Sequence, residues 1–299
     1  MVGTHLLAVV LALAPTPEAG PTAADEGAAA SEPRGERLPD LGTIRYHDPL
    51  TRGRSWLGVD VHGVGLPASN DLGRPVWMAA VTPAWAHALS SRLTLGGRHE
   101  MSWYDASNIR LRIHSHELQL SGRLMRDRPR LRDRPAVGME VHDVSKSVVD
   151  GVEFRLGGIR DFVLQLGYGL EHDLGRWIQL GWRVDARAAW VFTSTQRQLR
   201  ASLRAALLPR PNHRLSLELV GFYVNRDAEQ AGQPTAIHSV HGQVVAEYVW
   251  MGPGRVGLVA GARYATSFRS GEAPLFELRE ESLQRSYAEM LAGLRVVWE

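Results

Sequence analysis

Between Ile178 and Phe192 the chain alternates without a break. Ile178, Leu180, Trp182, Val184, Ala186, Ala188, Trp190 and Phe192 fall on one phase; Gln179, Gly181, Arg183, Asp185 and Arg187 fall on the other. A period of two sends successive side chains to opposite faces, as an extended strand does and a helix does not. The segment is therefore a strand with one oily and one charged surface. At fifteen residues it outruns the ~3–10 usual for strands of soluble proteins.

The same alternation recurs along the chain. Phe162, Leu164, Leu166, Tyr168 and Leu170 oppose Asp161, Gln165 and Glu171; Val240, Val244, Ala246, Tyr248 and Trp250 oppose Ser239, His241, Gln243 and Glu247. In 93–103, Leu93, Leu95, Met101 and Trp103 share a phase broken only by His99. Twelve strands are expected, over 54–66, 75–88, 92–105, 108–125, 135–144, 159–172, 176–193, 196–208, 213–225, 237–251, 254–269 and 283–298. Two segments, 108–125 and 196–208, are ambiguous in pattern, and a miscount in 108–125 or 144–172 gives ten or fourteen strands. Ile109, Leu111 and Ile113 are out of phase with Leu118 and Leu120, which calls for a bulge or two pieces. Segment 196–208 is rich in helix formers, but Leu199, Ala201, Leu203, Ala205 and Leu207 still alternate with Arg200, Ser202 and Arg204.

Connections alternate as well. Ser90–Ser91, Asp173–Gly175, Pro209–Asn212 and Gly252–Pro253 are short and turn-like, whereas 144–158, 227–236 and 271–282 are long. The basic run Arg126–Arg134 is a long exception on the short side. An antiparallel sheet with one oily face can be a soluble barrel, a sandwich or a membrane barrel. Strand length favours the membrane, because ~9–11 tilted residues cross a bilayer. Aromatics near strand ends agree: Trp103, Trp190, Tyr223 and Phe268 towards one rim, Trp177, Trp250 and Trp298 towards the other. Indole and phenol rings favour the membrane interface because they are oily with one polar handle.

Composition narrows the alternatives. With 44% hydrophobic and 22% charged residues, the chain is neither wholly disordered nor a helical membrane protein. It has no cysteine, so disulfides, thiolate metal sites and a cysteine-linked lipid anchor are excluded. A formal charge of +2 is nearly balanced, and Lys146 is the only lysine; no nucleic-acid partner is expected. The apolar run Leu6–Ala14 is too short to span but suits a secretory signal, giving residues 1–24 as signal peptide. Residues 25–53 read as a flexible periplasmic lead-in and 54–299 as the barrel.

The fold class expected is thus all-β, a single transmembrane antiparallel β-barrel of about 12 strands. On these residues the chain resembles the porin-like class of outer-membrane β-barrels of Gram-negative bacteria. The resemblance implies contact with outer-membrane lipid and recognition of the last strand by the barrel-insertion machinery. Met290, Leu294, Val296 and Trp298 match such an ending, although Glu299 follows the aromatic.

In a membrane barrel the charged phase turns inward. The expected pore lining is Arg98, Glu100, Arg112, Glu117, Arg123, Arg183, Asp185, Arg187, Arg200, Arg204, Glu218, Glu247, Arg263, Glu289 and Arg295. Inner-phase glycines 181, 257 and 261 leave room beside them. Passive passage of small solutes follows, with arginines favouring anions by ring-of-charge logic. The alternatives are a lipid-modifying hydrolase of phospholipase or lipid A deacylase type, and a barrel binding partners through its outer loops. Ser115 with His114 or His116, and His142 with Asp143, are the hydrolase candidates, but strand neighbours point to opposite faces. Metal ligation by His62 with Asp60, or by His114 with His116, lacks a third ligand in register. No catalytic residue, cofactor or metal site is therefore assigned.

Overall fold

The structure, a computed structural model, describes residues 55–66, 76–106, 109–125, 130–149, 152–154, 160–191, 194–210, 212–230, 233–252, 256–266 and 286–298. The expected signal and lead-in lie outside these residues. Twelve long strands carry the fold: β1 (Ser55–Leu66), β2 (Val76–Ala88), β3 (Leu93–Ala106), β4 (Ile109–Gly122), β6 (Ala136–Val149), β8 (Arg160–Asp173), β9 (Ile178–Val191), β10 (Ser194–Arg210), β11 (His213–Gln230), β12 (Gln233–Met251), β13 (Val256–Ala265) and β14 (Tyr287–Trp298). Two pieces of three residues, β5 (Leu131–Asp133) and β7 (Val152–Phe154), accompany them.

Every pairing is antiparallel. The chain's first and last long strands meet, from Ser55↔Trp298 to Val64↔Glu289, and β6 pairs β8, so the sheet closes into a barrel of twelve strands. Closure leaves no free edge to desolvate in hydrocarbon, the condition for spanning a membrane with strands. Short β5 prolongs the β6 side of that seam along β8 (Leu131↔His172), while β7 folds back on β6 (Val149↔Val152).

Residues 196–208 lie within β10, paired on both sides by β9 and β11. Cross-strand packing overrides the helical propensity of their Leu, Ala, Arg and Gln. The irregularity expected in 108–125 sits across the seam instead. Arg112 pairs Lys146 and Ile113 pairs Val144, which leaves Ser145 as the extra residue on β6. Against β3, β4 keeps one register throughout, with Trp103 opposite Arg112 and Met101 opposite His114.

Exposure gives the direction of the two faces. Leu166, Leu203 and Val240 on the outer wall are 67%, 63% and 78% exposed, whereas Asp60, Asp185 and Arg295 are at 1%, 1% and 0%. Oily outside and charged inside is the reverse of a soluble barrel and the arrangement of a transmembrane one. Twelve strands ~4.8 Å apart and tilted by about 40° enclose a backbone radius of about 12 Å. The inner wall is not uniformly polar. Trp56, Ala84, Ala86, Ala88, Val249, Val259 and Leu291 pack together on the inner side of β1, β2 and β12–β14. Val220, Phe222 and Val224 form a second inner cluster on β11.

Candidate functional site: the charged inner wall

Where β14 meets β1, Arg295 donates from Nη2 to Asp60 Oδ2 at 2.7 Å, and its Nη1 lies 2.5 Å from Oδ1. The same guanidinium sits 5.6 Å above the Trp56 ring. Beside it, Glu289 receives His62 Nδ1 at 2.9 Å and Arg263 Nη2 at 2.6 Å. Across the barrel, Arg98 bonds Glu117 through Nε and reaches Glu140 Oε1 at 3.5 Å. Glu140 also takes Arg187 Nη2 at 2.5 Å and His142 Nε2 at 3.0 Å. Arg183 donates from Nε to both oxygens of Asp185, and Arg134 Nη2 donates to Glu171 at 2.6 Å. Further round, Arg200 lies 3.5 Å from Glu218 and Arg214 lies 3.9 Å from Glu247.

Glycines let these pairs lie along the wall. A Cβ on Gly167 would collide with Asp185 and Arg183, one on Gly293 with Asp60, and one on Gly58 with Arg295. The expectation that glycines 181, 257 and 261 leave open room needs correction. The side chains of Glu171, Met251 and Leu291 cover those three positions. Glycine here makes a seat for a neighbour rather than a gap.

Of the fifteen residues expected inside, Arg98, Glu100, Glu117, Arg183, Asp185, Arg187, Arg200, Arg204, Glu218, Glu247, Arg263, Glu289 and Arg295 share the inner phase of their strands. Arg123 lies just past the end of β4, where its amide donates to Arg92 O at 3.0 Å. Arg112 is a correction: it is exposed and pairs with Trp103 on the outer wall. Here β4 changes chemistry without changing phase, so Ile113, 6% exposed, takes the inner place. Arg132 and Arg134, read as part of a basic connection, join Asp173 and Glu171 on the wall through β5. Only the pairing of β5 with β8 reveals this, because no alternation marks three residues.

Trp103, Trp177, Trp190 and Tyr223 are exposed outwards. Trp250 shares the outer phase of β12 and is partly covered. Phe268 and the side chain of Trp298 lie outside the described residues. Two outer ring pairs, Phe162 stacked on Trp190 at 6.0 Å and Tyr168 tilted against Trp182 at 6.1 Å, add to the aromatic surface. Phe222, a neighbour of Tyr223, turns inward and is 1% exposed.

The hydrolase candidates are separated by the pleat. Ser115 is buried on the inner face, while His114 and His116 stand on the outer one. His142 is inner and bonded to Glu140, whereas its neighbour Asp143 faces outwards. Ser115 does stand opposite His142 in register. That histidine is 1% exposed, which leaves no approach for a lipid ester. Asp60 and His62 are engaged by Arg295 and Glu289, so they do not form the metal pair considered above.

No family model matches the chain, and no curated protein matches it in sequence. Solved structures match it in fold. An outer-membrane channel from Pseudomonas putida F1 superposes with a TM-score of 0.56 at 11% identity, covering 87% of this chain and all of that one (100%). The transport unit of the autotransporter AIDA-I from Escherichia coli gives 0.52 at 10% identity, covering 88% of this chain and 93% of that one. The translocator domain of the autotransporter NalP from Neisseria meningitidis gives 0.52 at 10%, covering 82% and 88%. At such identities the likeness is one of fold, and the fold is that of the outer-membrane β-barrels.

Proposed function

We propose that this chain is a narrow, water-filled pore of the bacterial outer membrane through which small solutes diffuse. One observation supports this above others: the barrel closes on itself with an oily outer wall, while its inner wall is charged and polar, with ion pairs running along the wall from strand to strand. On this reading such pairs leave the centre of a barrel of about 12 Å radius to water.

Selectivity for anions is the finer part of this reading, and it is modest. Arginines and carboxylates are nearly matched on the wall, and pairing shortens the reach of each charge. Of the thirteen inner-phase residues named above, seven are arginines and six are carboxylates, and the preference rests on that small excess. Purified protein in planar bilayers is expected to give discrete conductance steps, with a reversal potential in a salt gradient displaced towards the anion. An Arg200→Glu variant is expected to move that potential towards the cation. Silent bilayers refute the pore; a cation-displaced potential in the unaltered protein refutes only the anion preference.

A further inference from the structure

An arginine on a lipid-facing wall is costly at the bilayer centre and nearly free at its edge. Arg197 on β10 is exposed on the outer phase, between Thr195 and Leu199. Its register partners are Ala188 on β9 and Asn225 on β11, neither of them charged. Among the described residues it makes no ion pair or hydrogen bond. Leu203 lies near the middle of β10 (Ser194–Arg210). At ~3.3 Å per residue and a tilt of about 40°, Arg197 stands about 15 Å nearer the Ser194 rim than Leu203 does. That rim lies opposite the tight turn Arg210–His213 and the barrel's ends at Ser55 and Trp298, which makes it the outer one. An apolar band of ~25 Å reaches only about 12 Å from its middle. The guanidinium is therefore at the level of the outer-leaflet headgroups.

Deeper on the same wall lies a groove of about 700 Å³. Ala201, Gly221 and Gly242 form its floor, each opposite the next in register across β10, β11 and β12. A Cβ on Gly221 would meet nothing within 4 Å. Trp182, Leu203, Leu219 and Tyr264, one row nearer the membrane centre, form its lower side. The outer-phase side chains around it are apolar but for the hydroxyls of Tyr264 and Thr266, and Thr266 Oγ1 already accepts from the Gly242 amide at 3.0 Å. Leu199 and Tyr223 occupy the single row between the floor and Arg197, so groove and guanidinium differ in depth by about 10 Å. A cation at headgroup level above an apolar groove complements an amphiphile with an anionic head. A polypeptide partner would have to bring an acid of its own to the same height, whereas a phosphate-bearing lipid of the surrounding leaflet has both parts already joined.

We propose that Arg197 and this groove bind one lipopolysaccharide molecule of the outer leaflet, a lipid A phosphate resting on the guanidinium and one acyl chain lying across Ala201, Gly221 and Gly242. Arginine meets phosphate with parallel N–H donors, and an acyl chain in the groove restores the contacts that its missing side chains leave out. The site faces away from the lumen and is independent of the pore.

The test uses the full chain folded in detergent micelles, with diphosphoryl lipid A added and the bound lipid counted by native mass spectrometry. One lipid A per barrel is expected. Arg197→Gln should weaken its binding by about 10–100-fold, the worth of hydrogen bonds to a charged group. Gly221→Leu fills the floor of the groove and should weaken it as well. Arg176→Gln, at an arginine 4.6 Å over Trp177 on the opposite rim, should leave it unchanged. Heat-modified gel migration reports that each variant is folded. If folded Arg197→Gln and Gly221→Leu both hold lipid A as tightly as the unaltered chain, or if lipid A stripped of its phosphates binds equally well, the proposal is overturned. A dimer that Gly221→Leu dissolves would make a second copy of the chain the occupant and overturn it too. Bilayer conductance, expected to be unchanged in these variants, keeps this test separate from that of the pore.

Discussion

The pair Asp60–Arg295 joins the first strand to the last, and its loss can be worked out from the structure. Both side chains are sealed, at 1% and 0% exposure, and two contacts of 2.7 and 2.5 Å hold them. Asp60→Asn keeps the shape and removes the negative charge that faces the buried guanidinium in this pair. Breaking one side of a buried pair costs about 3–5 kcal/mol. The contacts of Arg295 with Leu294 O at 3.0 Å and with the Trp56 face survive, so the lower end of that range applies. About 3 kcal/mol is roughly a hundredfold in the folded-to-unfolded ratio. Asp60→Asn/Arg295→Met removes both charges and should be more stable than Asp60→Asn alone, because no buried charge is left uncompensated. Reversible guanidinium unfolding in lipid vesicles, followed by tryptophan emission, measures all four species of the cycle. An Asp60→Asn midpoint indistinguishable from the unaltered barrel, or strict additivity in the double variant, would refute the claim that this pair secures closure.

Gly167→Ala places a methyl group where Asp185 and Arg183 rest. It should cost about 1–3 kcal/mol and lower single-channel conductance by displacing the pair into the lumen, whereas Gly63→Ala, with nothing near its Cβ, should change neither. On the outer wall Leu203 is 63% exposed, and Leu203→Arg should cost about 2–4 kcal/mol in vesicle unfolding, with Leu199→Arg, nearer the rim, costing less. Equal costs at the two positions would mean that the apolar band lies elsewhere.

Much of this barrel was legible because alternation reports two faces wherever they differ in chemistry. The fifteen-residue run from Ile178 is β9 and its flanks almost to the residue. Segment 196–208 shows how far periodicity outweighs propensity. Alternation fails where polarity and direction part company. Arg110 and Arg112 are polar, but they stand on the outer phase of β4, and Ile113 is apolar yet faces in. A reading that assigns the face from polarity therefore inverts the far half of this strand and asks for a bulge that β4 does not contain. Trp56 and Phe222 depart from polarity in the same way, since large apolar side chains also pack on the inner wall. The glycine seats are illegible in principle, because what covers a glycine is a neighbouring strand's side chain.

On the pore reading proposed above, those seats bear on how a twelve-stranded barrel is both firmly closed and open at its centre. Strand number sets a backbone radius, but side chains of ~6–7 Å reaching straight inwards from both sides would leave less than half of that diameter free. Here the long side chains run sideways instead: Arg98 to Glu117, Arg263 to Glu289, Arg295 to Asp60, and Arg200 to Glu218 each join one strand to the next. A guanidinium committed to a neighbouring strand is withdrawn from the lumen, so one contact both ties the sheet and widens the passage. Stability and conductance are then coupled in sign. Removing a wall carboxylate, as in Glu117→Gln, loosens the hold on Arg98, which Glu140 alone then faces at 3.5 Å among the pairs described, and should weaken the barrel and narrow the pore together. A truly filled interior would show the first effect without the second.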